Sequence, residues 1–288
     1  MADIIDGKKI AGEIFDELCE RVAALAERSV VPGLAVILVG EDPASVTYVR
    51  LKGKDARKVG IESVTHKMPE ATEPDDLEEI IDSLNADDSI HGILLQTPIP
   101  KHLDEPAFLR RIDPAKDIDG LHPFNQGLLM SGTPRFVPCT PYGVQQLLVR
   151  TGVEIAKQHV VVVGRSVLVG RPLSVLLSNK ADGANATVTI CHTGTRDLAH
   201  FTKQADILVA AAGSPGMITA DHVSEGAVVI DVGTTANAEG KLIGDVDFEA
   251  VSQKARAITP VPGGVGPMTR AMLMANTVRS AELLSGGA

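Results

Sequence analysis

The sequence predicts an α/β protein built from two parallel-sheet domains, and three observations carry that prediction. Val160-Val-Val-Val163 runs into Gly164, and four consecutive β-branched residues suit a strand covered on both faces. Strand-like and helix-like runs alternate on either side of it, which is the order of βαβ units. A chain of 288 residues with 44% apolar content is long enough to bury two separate cores.

Taken in order, Ile10, Ile14, Leu18, Val22 and Leu25 recur at three- and four-residue spacing, predicting an amphipathic helix over 6–28. A strand is expected over 33–40, a helix over 43–59, a strand near 61–67, a helix over 74–84 and a strand over 90–96. This is one βαβαβ unit. Proline clusters at 97–100, 113–114 and 137–141 then interrupt regular structure. The last of them suits a domain junction that starts a helix, with Thr140 as N-cap and Pro141 at the first helical position. The second unit follows: strands over 186–191, 206–211 and 227–232, with a helical stretch over 195–204. Residues 259–269 alternate proline and glycine, as suits a loop whose backbone approaches a ligand. An apolar helix over 270–284 closes the chain and is expected to pack back on the first domain. The expected domains are therefore 1–138 plus 269–288, and 139–268.

The strand ending at Gly164 leads through a short loop into a helix opened by Gly170 and Pro172, with Leu173, Leu176 and Leu177 at helical spacing. A strand, a glycine loop and a helix N-terminus form an anion site, because free amides and the helix dipole both favour phosphate. The spacing Gly164-x5-Gly170 departs from G-x-G-x-x-G, and an ordinary βα turn is the competing explanation. The βαβ context favours dinucleotide binding in a Rossmann-type domain. An acid to hold a ribose 2′-hydroxyl is absent from Cys191-His-Thr-Gly-Thr195. Arg165, Ser166 and Thr193 suit a 2′-phosphate instead, so NADP is the expected cofactor.

Composition excludes other classes. A net charge of −10 argues against nucleic acid or an anionic membrane as partner. No apolar run is long enough for a membrane span, and the N-terminus lacks a signal peptide's apolar stretch. Cys19, Cys139 and Cys191 are odd in number and without metal spacing, which points to reduced thiols in the cytoplasm and to no bound metal.

Tyr48 and Lys52 lie four apart on the predicted 43–59 helix and so share one face. With Arg50, Lys54, Arg57 and Lys58 nearby, a merely solvated face is the plain alternative. Gln96 ends a strand, the place where open α/β sheets bind ligands. Lys116-Asp-Ile-Asp-Gly120 puts two carboxylates in one loop, or else forms an Asp-Gly turn. Nothing supports Cys139 as a nucleophile. A second enzyme class, an NAD(P)-dependent dehydrogenase of a small carbonyl using Tyr48 and Lys52, is weakened by the position of that pair. It precedes the glycine loop by more than a hundred residues.

Tyr48-Val-Arg-Leu-Lys52, Leu95-Gln-Thr-Pro-Ile-Pro100, Lys116-Asp-Ile-Asp-Gly120, Pro138-Cys-Thr-Pro141, Gly164-Arg-Ser-Val-Leu-Val-Gly-Arg-Pro172 and Pro260-Val-Pro-Gly-Gly-Val-Gly-Pro-Met-Thr269 together closely resemble the bifunctional methylenetetrahydrofolate dehydrogenase/methenyltetrahydrofolate cyclohydrolase family. The resemblance spans nearly the whole chain. Thr97 stands where the family has an apolar residue, and Gly194 departs from it in the phosphate-side loop. The resemblance implies two domains around a cleft, a homodimer, and a cytoplasmic place in one-carbon metabolism and purine biosynthesis. It implies folate contacts from Tyr48, Lys52, Gln96 and Asp119, with Pro262, Gly263 and Gly266 closing over the substrate. It implies NADP contacts from Gly164, Arg165, Ser166, Gly170, Pro172 and Thr193, joined by Ala212, Gly213, Val232 and Gly233 at the strand ends. Lys52 is then the base for water addition, which requires its pKa to fall toward ~7–8, and Asp119 is the anchor for the pterin edge.

Overall fold

The computed structural model describes residues 1–237 and 239–286. Its strands are β1 (Asp3–Ile4), β2 (Gly33–Val39), β3 (Glu62–Met68), β4 (Gly92–Gln96), β5 (His159–Val163), β6 (Thr187–Cys191), β7 (Ile207–Ala210), β8 (Val228–Asp231), β9 (Thr235–Ala236), β10 (Leu242–Ile243) and β11 (Ala257–Ile258). The helices are α1 (Gly7–Ala26), α2 (Pro43–Val59), α3 (Pro74–Ala86), α4 (Glu105–Arg111), α5 (Pro123–Met130), α6 (Cys139–Arg150), α7 (Gly170–Ser178), α8 (Leu198–Thr202), α9 (Phe248–Ser252) and α10 (Val265–Leu284). None of the described helices is long and apolar enough to cross a membrane.

The chain divides into two units. One comprises Glu13–Leu128, Pro134–Cys139 and Arg270–Ala288; the other comprises Met1–Gly12, Leu129–Thr133 and Thr140–Thr269. Residues 1–12 fall in the second of these because β1 pairs with β11, Asp3 opposite Ala257 and Ile4 opposite Ile258.

The first unit holds a parallel sheet in the order β3-β2-β4. All seven residues of β2 are buried, as expected of a central parallel strand. Its core gathers Ala35, Ile37, Leu77, Ile81, Ile93 and Phe108. Helix α2 has the bounds its sequence signals. Asp42 accepts the Ser45 amide at 2.8 Å and Pro43 follows at the first helical position. Gly60 closes the helix at φ 89°, a left-handed cap that favours glycine.

The second unit is a six-stranded parallel sheet in the order β1-β11-β8-β7-β5-β6. Its strand order reverses at β5, with β6 on one side and β7 on the other, and ligands bind at such switch points. Val160 to Val163 are 0–1% exposed, in keeping with a strand covered on both faces.

Three boundaries differ from expectation. The stretch 195–204 is helical only over Leu198–Thr202. Thr195 Oγ1 accepts the His192 amide at 2.9 Å, which closes a turn after β6, and Asp197 caps α8 by accepting the His200 amide. Thr140 does not cap α6, which already begins at Cys139; its hydroxyl meets Thr269 Oγ1 at 3.0 Å. Helix α10 starts at Val265 rather than residue 270. Pro267 lies in its first turn, where the missing amide has no intrahelical partner to lose.

Candidate active site and cofactor loop

Helix α2 buries Ser45, Val49, Ala56 and Val59, and Lys52 lies on that same 3-4 stripe, partly buried. Arg50, Lys54, Arg57 and Lys58 point to solvent, so the basic helix is solvated on one face only. Lys52 Nζ donates to Gln96 Oε1 at 2.8 Å. Gln96 is itself 9% exposed and donates from Nε2 to the Thr97 carbonyl at 2.7 Å, which leaves its oxygen facing the lysine. Burial is the main force on Lys52 and pushes its ammonium below the ordinary lysine range; Asp119 opposes this and Arg270 adds to it. An amide is the right neighbour for such a group. It accepts a hydrogen bond from either protonation state, whereas a carboxylate would favour the cation. Tyr48 sits one turn earlier on α2, partly buried, with no hydrogen-bond partner for its hydroxyl among the described residues.

The Lys116–Gly120 loop resolves into three separate tasks. Lys116 Nζ donates to the carbonyls of Leu84, Asn85 and Asp87 at 3.0, 2.8 and 2.8 Å, satisfying the C-terminal end of α3. Asp117 accepts the Leu121 and His122 amides and Asn125 Nδ2 at 3.2, 2.8 and 2.8 Å. Gly120 takes φ 69°, and a Cβ there would lie 2.8 Å from Pro138 N, so the turn admits only glycine. Asp119 alone is left partly exposed. Cys139 lies beside it, 3.5 Å from the Ile118 carbonyl. Burial, then Asp119, pushes its thiol well up, which keeps it protonated and a poor nucleophile.

Two groups here escape a reading of the sequence. Arg270 pairs with Asp55, three residues beyond Lys52. Asn276 donates to the carbonyls of Ile118 and Val137 at 2.8 and 3.0 Å, tying α10 to the loop that carries Asp119. An asparagine within an apolar helix was the available signal for the second; for the first there was none.

The glycine loop of the other unit is shaped by close approach. A Cβ on Gly164 would lie 2.1 Å from the Ala211 carbonyl, and one on Gly170 would lie 2.1 Å from the Gly164 carbonyl. Helix α7 has no side-chain cap at its N-terminus, and Pro172 is buried in its first turn. Ser166 Oγ accepts the Val169 amide at 3.1 Å and holds the loop. Arg165 and Thr193 are exposed, and neither side chain has a hydrogen-bond partner among the described residues. Asp197, the nearest acid after β6, is engaged as the cap of α8. A glycine cradle with an uncapped helix end and a free guanidinium fits a phosphorylated dinucleotide. At the ends of β7 and β8, the Ala212 and Gly213 amides donate to Asp245 and the Gly233 amide donates to Asp231. Val232 is buried. Pro262 and Gly263 form a turn whose glycine takes φ 116°, and Gly266 lies in the first turn of α10.

A parallel sheet with a glycine loop at its switch point defines the class, a dinucleotide-binding α/β protein. The sequence model for the tetrahydrofolate dehydrogenase/cyclohydrolase catalytic domain matches residues 5–119, and that for the family's NAD(P)-binding domain matches residues 138–285. The bifunctional protein FolD of Syntrophus aciditrophicus is 54% identical over 290 residues, covering 99% of each chain. Among solved structures, the Campylobacter jejuni bifunctional dehydrogenase/cyclohydrolase superposes with TM-score 0.95 at 44% identity, covering 98% of this chain and 99% of that one. The Trypanosoma brucei dehydrogenase-cyclohydrolase, solved with NADP and an inhibitor, gives TM-score 0.92 at 41% identity, covering 98% of each. The chain therefore belongs to the tetrahydrofolate dehydrogenase/cyclohydrolase family, and it is a bifunctional enzyme of that family. A dehydrogenase of a small carbonyl is not favoured.

Proposed function

We propose that Lys52 is the base of the cyclohydrolase reaction and that the loop from Gly164 to Pro172 holds the cofactor of the dehydrogenase reaction. The enzyme oxidises 5,10-methylenetetrahydrofolate to the 5,10-methenyl form with NADP, then hydrolyses that cation to 10-formyltetrahydrofolate. NADP supplies the hydride acceptor. The folate nitrogen lone pair expels the hydride, so no hydroxyl proton has to be taken from the substrate. The chain's task in this step is orientation.

Water addition differs, because the attacking water must give up a proton. The lowered Lys52 amine takes it, while Gln96 keeps that amine in place through the 2.8 Å contact. That contact is the observation carrying the assignment, since it fixes a partly desolvated amine on a neutral acceptor. Asp119 accepts from the parallel N–H groups of the pterin edge, and Tyr48 orders the bound folate. The turn with Pro262, Gly263 and Gly266 is a further substrate contact. Gly164, Gly170 and Pro172 shape the phosphate cradle, Arg165, Ser166 and Thr193 take the 2′-phosphate, and Ala212, Gly213, Val232 and Gly233 complete the cofactor surface. Residues 1–138 with 269–288, apart from the β1 segment and residues 129–133, serve as the folate domain and 139–268 as the NADP domain. The family resemblance also supports a homodimer, a cytoplasmic location and a supply of one-carbon units for purine synthesis.

Mixing the protein with methylenetetrahydrofolate and NADP tests the reading directly. NADPH and methenyl product should appear together, and the methenyl absorbance should then decay faster than without enzyme. Formation of NADPH with no accelerated decay would remove the role given to Lys52.

A further inference from the structure

Two carboxylates at the ends of β8 and β10 have no part in either reaction as described so far. Asp245 is 0% exposed. Its Oδ2 accepts the amides of Ala212 and Gly213 at 2.7 and 2.9 Å, and its Oδ1 accepts the Ser214 amide at 2.7 Å. Asp231, 4% exposed, holds Asp245 in turn. Its Oδ1 accepts the amides of Gly233 and Asp245 at 2.9 Å each, and its Oδ2 accepts the Val246 amide at 3.0 Å. The two acids dictate their neighbours. A Cβ on Gly244 would lie 1.9 Å from Asp231 Oδ2, and one on Gly233 would lie 2.5 Å from Asp245 Oδ1.

Neither carboxylate has a lysine or arginine partner among the described residues. Burying charge without a countercharge is costly, so the arrangement calls for a reason. The turn after β7 supplies one. With Gly213 at φ 64°, three successive amides converge on one point, which is an anion-binding nest. It lies at the C-terminal end of the strand next to β5, where a ligand of this sheet binds. Left open, the nest would compete with the Gly164–Gly170 cradle for the phosphates of a dinucleotide. Asp245 fills it from within. The polar groups that Ala212 and Gly213 still offer a ligand are carbonyl oxygens, which accept.

We infer that Asp245, clasped by Asp231, is a positioning residue that occupies the nest after β7, so that this turn rejects cofactor phosphate and receives the nicotinamide end of NADP, which carries none. The inference rests on the cofactor role proposed for Ala212 and Gly213. Its consequence is a split between the two activities, because water addition uses Lys52 and no nicotinamide.

The test is Asp245→Asn, which keeps the shape but replaces one acceptor oxygen with a donor facing amides. Titration calorimetry should show NADP affinity falling roughly tenfold or more, and the dehydrogenase KM for NADP should rise in parallel. In the cofactor-free protein, the amides of 212–214 should exchange with deuterium faster than in the wild type. Cyclohydrolase turnover should stay within about twofold. Gly244→Ala, whose methyl displaces Asp231, should give the same split more weakly, and it serves where Asp245→Asn does not fold. Unchanged NADP affinity, or parallel loss of both activities in folded protein, overturns the inference. A wild-type protein that forms no NADPH would instead overturn the enzymatic reading itself.

Discussion

Lys52 and Lys116 are two lysines of one unit, both withdrawn from water, and they differ in what receives their protons. Lys116 reaches three carbonyls at the end of α3. Lys52 reaches one amide oxygen. Burial lowers the pKa of both, and for both it is the largest cause; for Lys116 the opposing pull comes from Asp113, Asp87 and Asp88. An ammonium with three acceptors has every proton used, and losing one would orphan a carbonyl. An ammonium with one acceptor can give a proton up and keep its bond. The same contrast separates Asp117, with three donors, from Asp119. What marks the residues proposed to act on substrate is not burial but incomplete hydrogen bonding.

The sharpest way to break this comparison is Lys52→Met. Removing a general base costs about 10²–10⁴ in rate, so methenyl hydrolysis should fall by that range while part of the NADP-dependent oxidation survives. Loss of both to the same degree would make Lys52 a folate-positioning group, no different in kind from Lys116.

Gln96→Glu sharpens it further, because it changes the charge of the acceptor and little else. A carboxylate 2.8 Å from the amine favours the ammonium and raises its pKa by about 1–3 units. A base works only above its pKa. Cyclohydrolase activity in the wild type should decline as pH falls through the lowered lysine pKa, and the variant should show that decline at higher pH. At neutral pH its rate should drop about 10- to 10³-fold, with recovery in alkaline buffer. A profile that keeps its position and only loses height would remove Lys52 titration from the mechanism.

Lys116→Met tests the other side. Three carbonyls lose a charged donor at a site 6% exposed, and hydrogen bonds to charged groups are worth about 1.5–3 kcal/mol. The expected loss of stability is about 3 kcal/mol in urea unfolding, with both activities per folded molecule unchanged within about twofold. A catalytic defect in a stable Lys116→Met protein would undo the distinction.

This contrast also explains what a reader of the sequence can and cannot see. Helix α2 is legible at both ends because Asp42-Pro43 and Gly60 carry local physics, a side-chain cap and a left-handed turn. The four valines of β5 are legible because β-branched residues suit a strand covered on both faces. Helix α10 is legible in existence but not in its start, because Pro267 signals a break in mid-helix and none in a first turn. The site is legible only as candidates. Lys116, Asp117 and Asp119 are charged groups within four residues, and only the fold decides that the first two gain three partners each while Asp119 keeps oxygen free beside the Cys139 thiol. Gln96 is 44 residues from Lys52 and Arg270 is 215 residues from Asp55, separations that no local pattern encodes. Asp231, at the end of a strand, and Asp245 read as ordinary acids until their six amide donors are in view.

Arg165 carries the smallest effect and extends the rule to the cofactor loop. It is exposed, and its guanidinium has no hydrogen-bond partner among the described residues. Its neighbour Ser166 already accepts the Val169 amide. If incomplete hydrogen bonding identifies working groups here too, Arg165 is the one that meets the 2′-phosphate, and its loss should discriminate between cofactors rather than weaken both. One charge-assisted contact in solvent is worth about 1.4 kcal/mol, or roughly tenfold. Arg165→Ala should therefore lower kcat/KM with NADP about tenfold, leave the value with NAD nearly unchanged, and leave methenyl hydrolysis untouched. The NADP effect should shrink as salt is raised, because an exposed charge pair is screened. An equal fall with NADP and NAD would assign Arg165 to the shared diphosphate, and the 2′-phosphate would then have to be read by Ser166 and Thr193.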